Sequence, residues 1–237
     1  MIRVAAVGDL HYGVDTAGTC AIDPAELHDQ ADLLLLAGDL TRLGVPAEAS
    51  VLARELVDVT VPKFAVLGNH DFHSDAAPAV VETFTDAGFE VLEGSGSVID
   101  VDGTSVGVAG TKGFGGGFAG ASGTDFGEPE MKAFIGHTKD LAAKFGDALG
   151  GLEADVRIAL LHYAPVKDTL VGERLEIYPF LGSYLLGEVV DEAGADLIVH
   201  GHAHAGTEKG VTPGGAHVRN VAQPVIRSPY RVYCIDT

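Results

Sequence analysis

Ala195-Asp196-Leu197-Ile198-Val199-His200-Gly201-His202-Ala203-His204 stands late in the 237-residue chain. Its first half, Ala195 to Val199, reads as a buried strand, and Gly201 turns the backbone at the strand's end. Three imidazoles in five residues have few structural uses. Histidine is costly to bury unpaired and is the commonest side-chain ligand for borderline divalent metals. A solvated His-rich turn is the plain alternative. Four other stretches argue against it, because each closes an apolar run with oxygen or nitrogen ligands: Asp9-Leu10-His11, Gly38-Asp39, Gly68-Asn69-His70-Asp71 and Leu160-Leu161-His162. Five such strand ends point to one site at one edge of a sheet.

The intervening chain sets the fold class. Ile2 to Val7 and Leu33 to Ala37 are apolar runs, as in strands buried on both faces, and Val61 to Leu67 is the third strand. A short helix follows Asp23-Pro24, with Asp23 as its cap. A second helix is expected from Pro46 to Val57, with Ala49, Leu52, Ala53, Leu56 and Val57 facing the core. A third runs from Ala76 to Ala87 and stops at Gly88. Strands alternating with helices give an α/β domain, and open α/β sheets place their sites at the carboxyl ends of the strands. Val91-Leu92, Ser97 to Val101 and Ser105 to Ala109 then read as short strands, with a hairpin turn at Asp102-Gly103. Glu128 to Leu149 is a long amphipathic helix, Val156 to Leu161 a strand, and Leu181 to Ala193 a helix. Ala216 to Val221 and Arg231 to Ile235 close the chain, with Asn220 and His217 read as structural. One domain over residues 1–237 is the simplest organisation, with room for an inserted lid.

Gly113-Phe114-Gly115-Gly116-Gly117-Phe118 lacks the Gly-Lys-Ser/Thr ending of a phosphate-cradling loop. It is either a mobile loop with two aromatic rings near the site or a plain surface loop. The loop from Tyr163 to Pro179 carries Lys167, Arg174 and Tyr178 and would overhang the site if His162 belongs to it.

Net charge is −19, from 15 basic and 34 acidic residues. No Lys/Arg cluster offers a track for a phosphate backbone, so nucleic acid is not an expected partner. The excess acid reads as a solvated surface, and a saline cytoplasm is a further reading. No apolar run approaches the roughly 18 residues of a membrane span, and Ile2 to Val7 enters a strand directly, without the pattern of a signal peptide. A cytoplasmic location is expected. Cys20 and Cys234 make no disulfide framework; free thiols are the default and a single bridge the alternative.

The ordered set Asp-x-His, Gly-Asp, Gly-Asn-His-Asp, His, Gly-His-x-His, spread from Asp9 to His204, resembles the calcineurin-like metallophosphoesterases. The resemblance implies a four-layer α-β-β-α sandwich with a two-metal centre at the carboxyl ends of the strands. Carried over by position, it puts Asp9, His11 and His204 on one metal and Asn69, His162 and His202 on the other, with Asp39 bridging. Mixed oxygen and nitrogen donors suit Mn, Fe or Zn, with Mg, Ni or Co also open, better than Ca or a thiolate-seeking metal. Two cations roughly 3.5–4 Å apart can share a hydroxide that attacks phosphorus in line. The resemblance also makes His70 the residue that protonates the leaving oxygen or stabilises the transition state, with Asp71 orienting its ring; a structural histidine beside the ligands is the plain alternative. His200 and His73 fall outside the family pattern: His200 reads as a hydrogen-bonded neighbour, His73 as reaching substrate or solvent. The second motif continues Leu40-Thr41-Arg42, without the further acidic residue some members carry there. Arg42 could contact phosphate or stand exposed.

The expected activity is metal-dependent hydrolysis of a phosphomonoester or phosphodiester. A small phosphorylated substrate, such as a nucleotide, suits the chain's size. The alternative is a metal-binding scaffold that recruits partners without hydrolysis. A zinc peptidase would need a helical His-Glu-x-x-His, which is absent.

Overall fold

The computed structural model describes every residue from Met1 to Thr237. The chain runs β1 (Ile2–Val7), α1 (Pro24–Gln30), β2 (Leu33–Ala37), α2 (Pro46–Glu55), β3 (Lys63–Val66), α3 (Ala77–Asp86) and β4 (Phe89–Val91). A hairpin follows, β5 (Ser95–Val101) and β6 (Thr104–Thr111), then a small ladder of β7 (Gly117–Phe118) and β8 (Ala121–Ser122). The second half holds α4 (Pro129–Gly150), β9 (Val156–Leu161), α5 (Tyr178–Leu181), α6 (Tyr184–Ala193), β10 (Leu197–His200), β11 (Lys209–Val211), β12 (His217–Asn220), α7 (Gln223–Ile226) and β13 (Arg231–Ile235).

Two sheets result. The first has the order β13-β1-β2-β3-β4 and the second β11-β12-β10-β9-β6-β5. Within the first, β1, β2, β3 and β4 run parallel and β13 returns antiparallel along β1. In the second, β6, β9, β10 and β12 run parallel.

Alternation along the strands explains the layers. In β2, Leu33, Leu35 and Ala37 join Ile158, Leu160 and Val199 in a core between the sheets. Leu34 and Leu36 point the other way, onto Leu27, Leu52 and Phe84 of the first three helices. On the far side, Ala159, Leu161 and Ile198 meet Phe145, Leu186 and Val190 of α4 and α6. Period-two strands with both faces apolar thus give helix, sheet, sheet and helix in turn. This is the expected α-β-β-α sandwich.

Three local expectations are corrected. α2 ends at Glu55, and Val57 is 61% exposed; Leu56 and Val59 close that side of the core instead. The helix expected from Leu181 is interrupted. Gly182 is extended and bridges Ala164, where any Cβ would overlap the Ala164 carbonyl. Ser183 then caps α6 by accepting from the Leu185 amide. The glycine-rich loop is pinned: the Gly116 and Gly117 amides donate to the Pro179 and Gly182 carbonyls, and Phe118 is buried. Cys20 and Cys234 are free thiols.

Candidate metal centre

The parallel strands point their carboxyl ends to the same edge of the sandwich. β1 delivers Asp9 and His11, β2 delivers Asp39, and β3 delivers Asn69, His70 and Asp71 from the first sheet. β9 delivers His162 and β10 delivers His202 and His204 from the second. The site therefore lies across the seam between the sheets.

Reaching it distorts the backbone. Asp9, His11, Asp39 and His202 have φ of 58°, 46°, 50° and 71°. The left-handed region costs an L residue about 1–2 kcal/mol. Four of the chain's seven non-glycine residues with positive φ fall in this one cluster, a concentration that points to a functional site. Two glycines let the loops close up. A Cβ on Gly68 would overlap the Asp39 carboxylate, and one on Gly201 would overlap the Asp9 carboxylate and sit 2.7 Å from the Ala37 carbonyl.

Two ligand sets emerge. Donor atoms of Asp9, His11, Asp39 and His204 lie within 4.8 Å of one another, as do those of Asp39, His162 and His202. Asp39 belongs to both. His204 Nε2 is 2.8 Å from Asp9 Oδ1 and 3.4 Å from His11 Nε2. His162 Nε2 is 3.4 Å from Asp39 Oδ1 and 3.1 Å from Asn69 Oδ1, so the amide joins the second set.

Each of three imidazoles is turned by a hydrogen bond to a backbone carbonyl. His162 Nδ1 donates to the Ala37 carbonyl at 2.9 Å, which leaves the Nε2 lone pair facing Asp39. His202 Nε2 donates to the Phe180 carbonyl at 3.2 Å, which frees Nδ1. His70 Nδ1 donates to the Arg42 carbonyl at 2.9 Å, and its ring packs edge-on to His11 with centroids 4.5 Å apart. Backbone carbonyls that fix tautomer and ring plane are usual behind metal-binding histidines.

The electrostatics favour a cation. Burial pushes His162 and His202 down to about 3 and lowers His11, so these rings are neutral and offer lone pairs. Burial also pushes Asp9 up to about 6, with Asp39 adding to the rise. His204 is raised by its bond to Asp9. Asp9 and Asp39 are 3% and 2% exposed. Two buried carboxylates facing neutral imidazoles form a nest of acceptors with too few protons to share. Divalent ions satisfy such a donor set.

Asp71 is placed differently from expectation. It does not touch the His70 ring. It is wholly buried, and its carboxylate accepts from the amides of Leu40, Thr41 and Gly68 and from the Thr41 hydroxyl. Burial pushes it up to about 6. The Arg42 carbonyl does the orienting that Asp71 was expected to do.

His200 is fully buried, with Nδ1 on the Gly201 carbonyl at 2.7 Å and Nε2 on the Thr169 hydroxyl at 2.8 Å, outside both sets. His73 and His217 are exposed. Asn220 is buried and ties β12 to the Ala203 carbonyl. Arg42 is exposed and paired with Asp15 at 2.9 Å. From the overhanging loop, Tyr163 packs on His202 with centroids 4.4 Å apart, while Arg174 pairs outward with Glu176.

The description "calcineurin-like phosphoesterase" matches residues 2–206. The chain belongs to this family. As a calcineurin-like phosphoesterase it is a metal-dependent hydrolase of phosphate esters. Its fold is shared with the phosphopantetheinyl hydrolase of Mycobacterium tuberculosis, at 15% identity and a TM-score of 0.70, over 99% of this chain and 96% of that one. It is also shared with a putative 5'-nucleotidase of Staphylococcus aureus, at 17% identity and a TM-score of 0.57, over 92% of this chain and 48% of that one. A hypothetical protein of Thermus thermophilus matches at 17% identity with a TM-score of 0.54, over 92% of this chain and 75% of that one. No curated protein matches the chain. No helix is long and apolar enough to cross a membrane.

Proposed function

We propose that this phosphoesterase hydrolyses a small phosphomonoester or phosphodiester at a two-metal centre. Asp9, His11 and His204 would hold one ion and Asn69, His162 and His202 the other, with Asp39 between them. The observation that carries this reading is the position of Asp39 in both ligand sets. When bound, two divalent cations would neutralise phosphoryl oxygens and make a water acidic enough to supply hydroxide near neutral pH.

The chain's own residues do the rest. Ala37 and Phe180 hold the His162 and His202 rings through their carbonyls, so the free nitrogens need no reorientation on binding. The His70 amide donates to Asp39 Oδ1 at 2.8 Å, which fixes the bridging carboxylate. With Nδ1 committed to Arg42, His70 Nε2 is free to carry the proton that the leaving oxygen needs. Neighbours named as a phosphopantetheinyl hydrolase and a putative 5'-nucleotidase are compatible with a small phosphorylated substrate.

The test begins with metal-stripped protein, restored separately with Mn²⁺, Fe²⁺, Zn²⁺ or Mg²⁺ and assayed on p-nitrophenyl phosphate and bis(p-nitrophenyl) phosphate. Metal-dependent turnover that vanishes in Asp39→Asn supports the reading. His70→Ala should retain both metals and lose about 10²–10⁴-fold in kcat. Metal binding without turnover of any ester would favour a scaffold.

A further inference from the structure

β6 ends at the same edge as the ligand strands but supplies no ligand. It is followed by Lys112, whose carbonyl takes the amides of His162 at 3.3 Å and Tyr163 at 2.9 Å. Lys112 thus stands directly beside the second ligand set. It is only 8% exposed. Its ammonium lies 5.0 Å from the Phe72 ring centroid, 5.0 Å from Phe114 and 5.4 Å from Tyr163. Phe72 follows His70 by two residues, and Tyr163 packs against the His202 ring. The charge therefore sits between the loop carrying Asn69 and His70 and the ring backing His202.

The ammonium has almost nothing to hold. Its one hydrogen bond goes to the neighbouring Gly113 carbonyl, at 3.3 Å. It belongs to none of the chain's ion pairs. The Glu93 carboxylate is spent on the Thr111 hydroxyl and the Lys112 amide. Burying an unpaired cation is expensive, and three aromatic faces recover only part of that cost. A methionine would fill the same cage without the penalty. Arg42, the other cation near the site, is committed to Asp15. Burial lowers Lys112, with Glu93 and then Asp39 acting the other way, and its charge also lowers His162, in keeping with its position.

We propose that Lys112 Nζ docks a non-bridging phosphate oxygen and biases the site toward phosphomonoesters. This rests on the phosphate-ester reading above. A monoester dianion carries one more negative charge than a diester, and a fixed, desolvated ammonium discriminates on that difference. Phe72, one wall of the cage, is 41% exposed.

The experiment compares wild type, Lys112→Met and Lys112→Arg, all metal-loaded. Kinetics are read on p-nitrophenyl phosphate and bis(p-nitrophenyl) phosphate, and inorganic phosphate binding by calorimetry. Losing one charged hydrogen bond should weaken phosphate binding about tenfold or more in Lys112→Met. The monoester-to-diester ratio of kcat/KM should fall by a similar factor. Lys112→Arg should recover most of both, and metal content should not change. Lys112→Gln gives the same readouts if the methionine variant folds poorly. Unchanged phosphate affinity overturns the docking role, and an unchanged ratio overturns the selectivity. If wild type cleaves neither ester, the ester-hydrolysis reading fails, and phosphate calorimetry still decides the role of Lys112.

Discussion

Replacing Asp71 with alanine should unfold the site's foundation rather than remove a catalytic group. The carboxylate joins two ligand loops: Oδ1 takes the Thr41 amide at 2.8 Å and the Thr41 hydroxyl at 2.6 Å, and Oδ2 takes the Gly68 amide at 2.8 Å and the Leu40 amide at 3.2 Å. In Asp71→Ala three buried backbone amides lose their acceptor, each costing about 1–3 kcal/mol. Against this stands a relief. A carboxyl pushed up to about 6 is costly to ionise at neutral pH, by about 3 kcal/mol at 1.36 kcal/mol per pH unit. At about 2 kcal/mol per amide, the middle of that range, the amides outweigh the relief and the net loss is about 3 kcal/mol, less if water enters the gap. For a domain of this size each kcal/mol lowers Tm by about 2–4 °C.

The assay is calorimetric Tm and urea unfolding of metal-stripped Asp71→Ala, with kcat and its pH profile measured below the new Tm. A drop of about 6–12 °C is expected. Residual turnover should keep the wild-type pH profile, because His70 is oriented by Arg42 and not by Asp71. An unchanged Tm together with a shifted pH profile would refute the reasoning and restore Asp71 as the partner of His70.

Asp9→Asn should reverse the order of stability with metal. Burial pushes Asp9 up to about 6, so the neutral amide should stabilise the metal-stripped protein by about 1–3 kcal/mol and lower Tm with metal present, as thermal scans with and without Mn²⁺ would read. Gly68→Ala forces a methyl group against the Asp39 carboxylate; a displaced bridging ligand should cost about 100-fold in kcat/KM, with metal content by mass spectrometry reduced as well. Acid should destabilise the metal-free protein. His11, His162, His200 and His202 are depressed to about 4, 3, 4 and 3, so their contribution is present above the unfolded value near 6.5 and is lost as pH falls. Asp9 and Asp71, raised to about 6, act in the opposite sense between 6 and about 4. Four histidines against two carboxylates leave about 1.4–2.7 kcal/mol lost per pH unit from 6 to 4, the part-exposed His11 counting for less than the other three, measured by urea unfolding; flat or rising stability would contradict the assignment of buried neutral rings.

The layers were legible because β1, β2, β9 and β10 are apolar almost without interruption, as strands covered on both faces are. The site was legible because each of those runs ends in a ligand type, and parallel strands bring their ends to one edge. The role of Asp71 was not. Adjacency to His70 suggested a contact, but the two fall in a tight helical turn, Asn69 to His73, which sends successive side chains apart and turns Asp71 into the core. The carbonyls of Ala37, Arg42 and Phe180 were invisible because a backbone acceptor leaves no trace in residue type. The break at Gly182 was hidden by apolar residues that continue the helical spacing on both sides. Lys112 did leave a signal: Thr111-Lys112 ends an apolar strand in polar residues, as the ligand strands do.

The seam between the sheets gives the site a further property. Asp9, His11, Asp39 and Asn69 come from one sheet, while His162, His202 and His204 come from the other. Neither half of the chain holds a complete ligand set, and Asp39 must meet His162 across the interface at 3.4 Å. Chemistry is thereby conditional on assembly. A half-folded chain, with one sheet formed and the other still collapsing, has no complete ligand set. Conversely, metals held by these ligands would cross-link the two sheets at one edge, as a clasp holds the covers of a book.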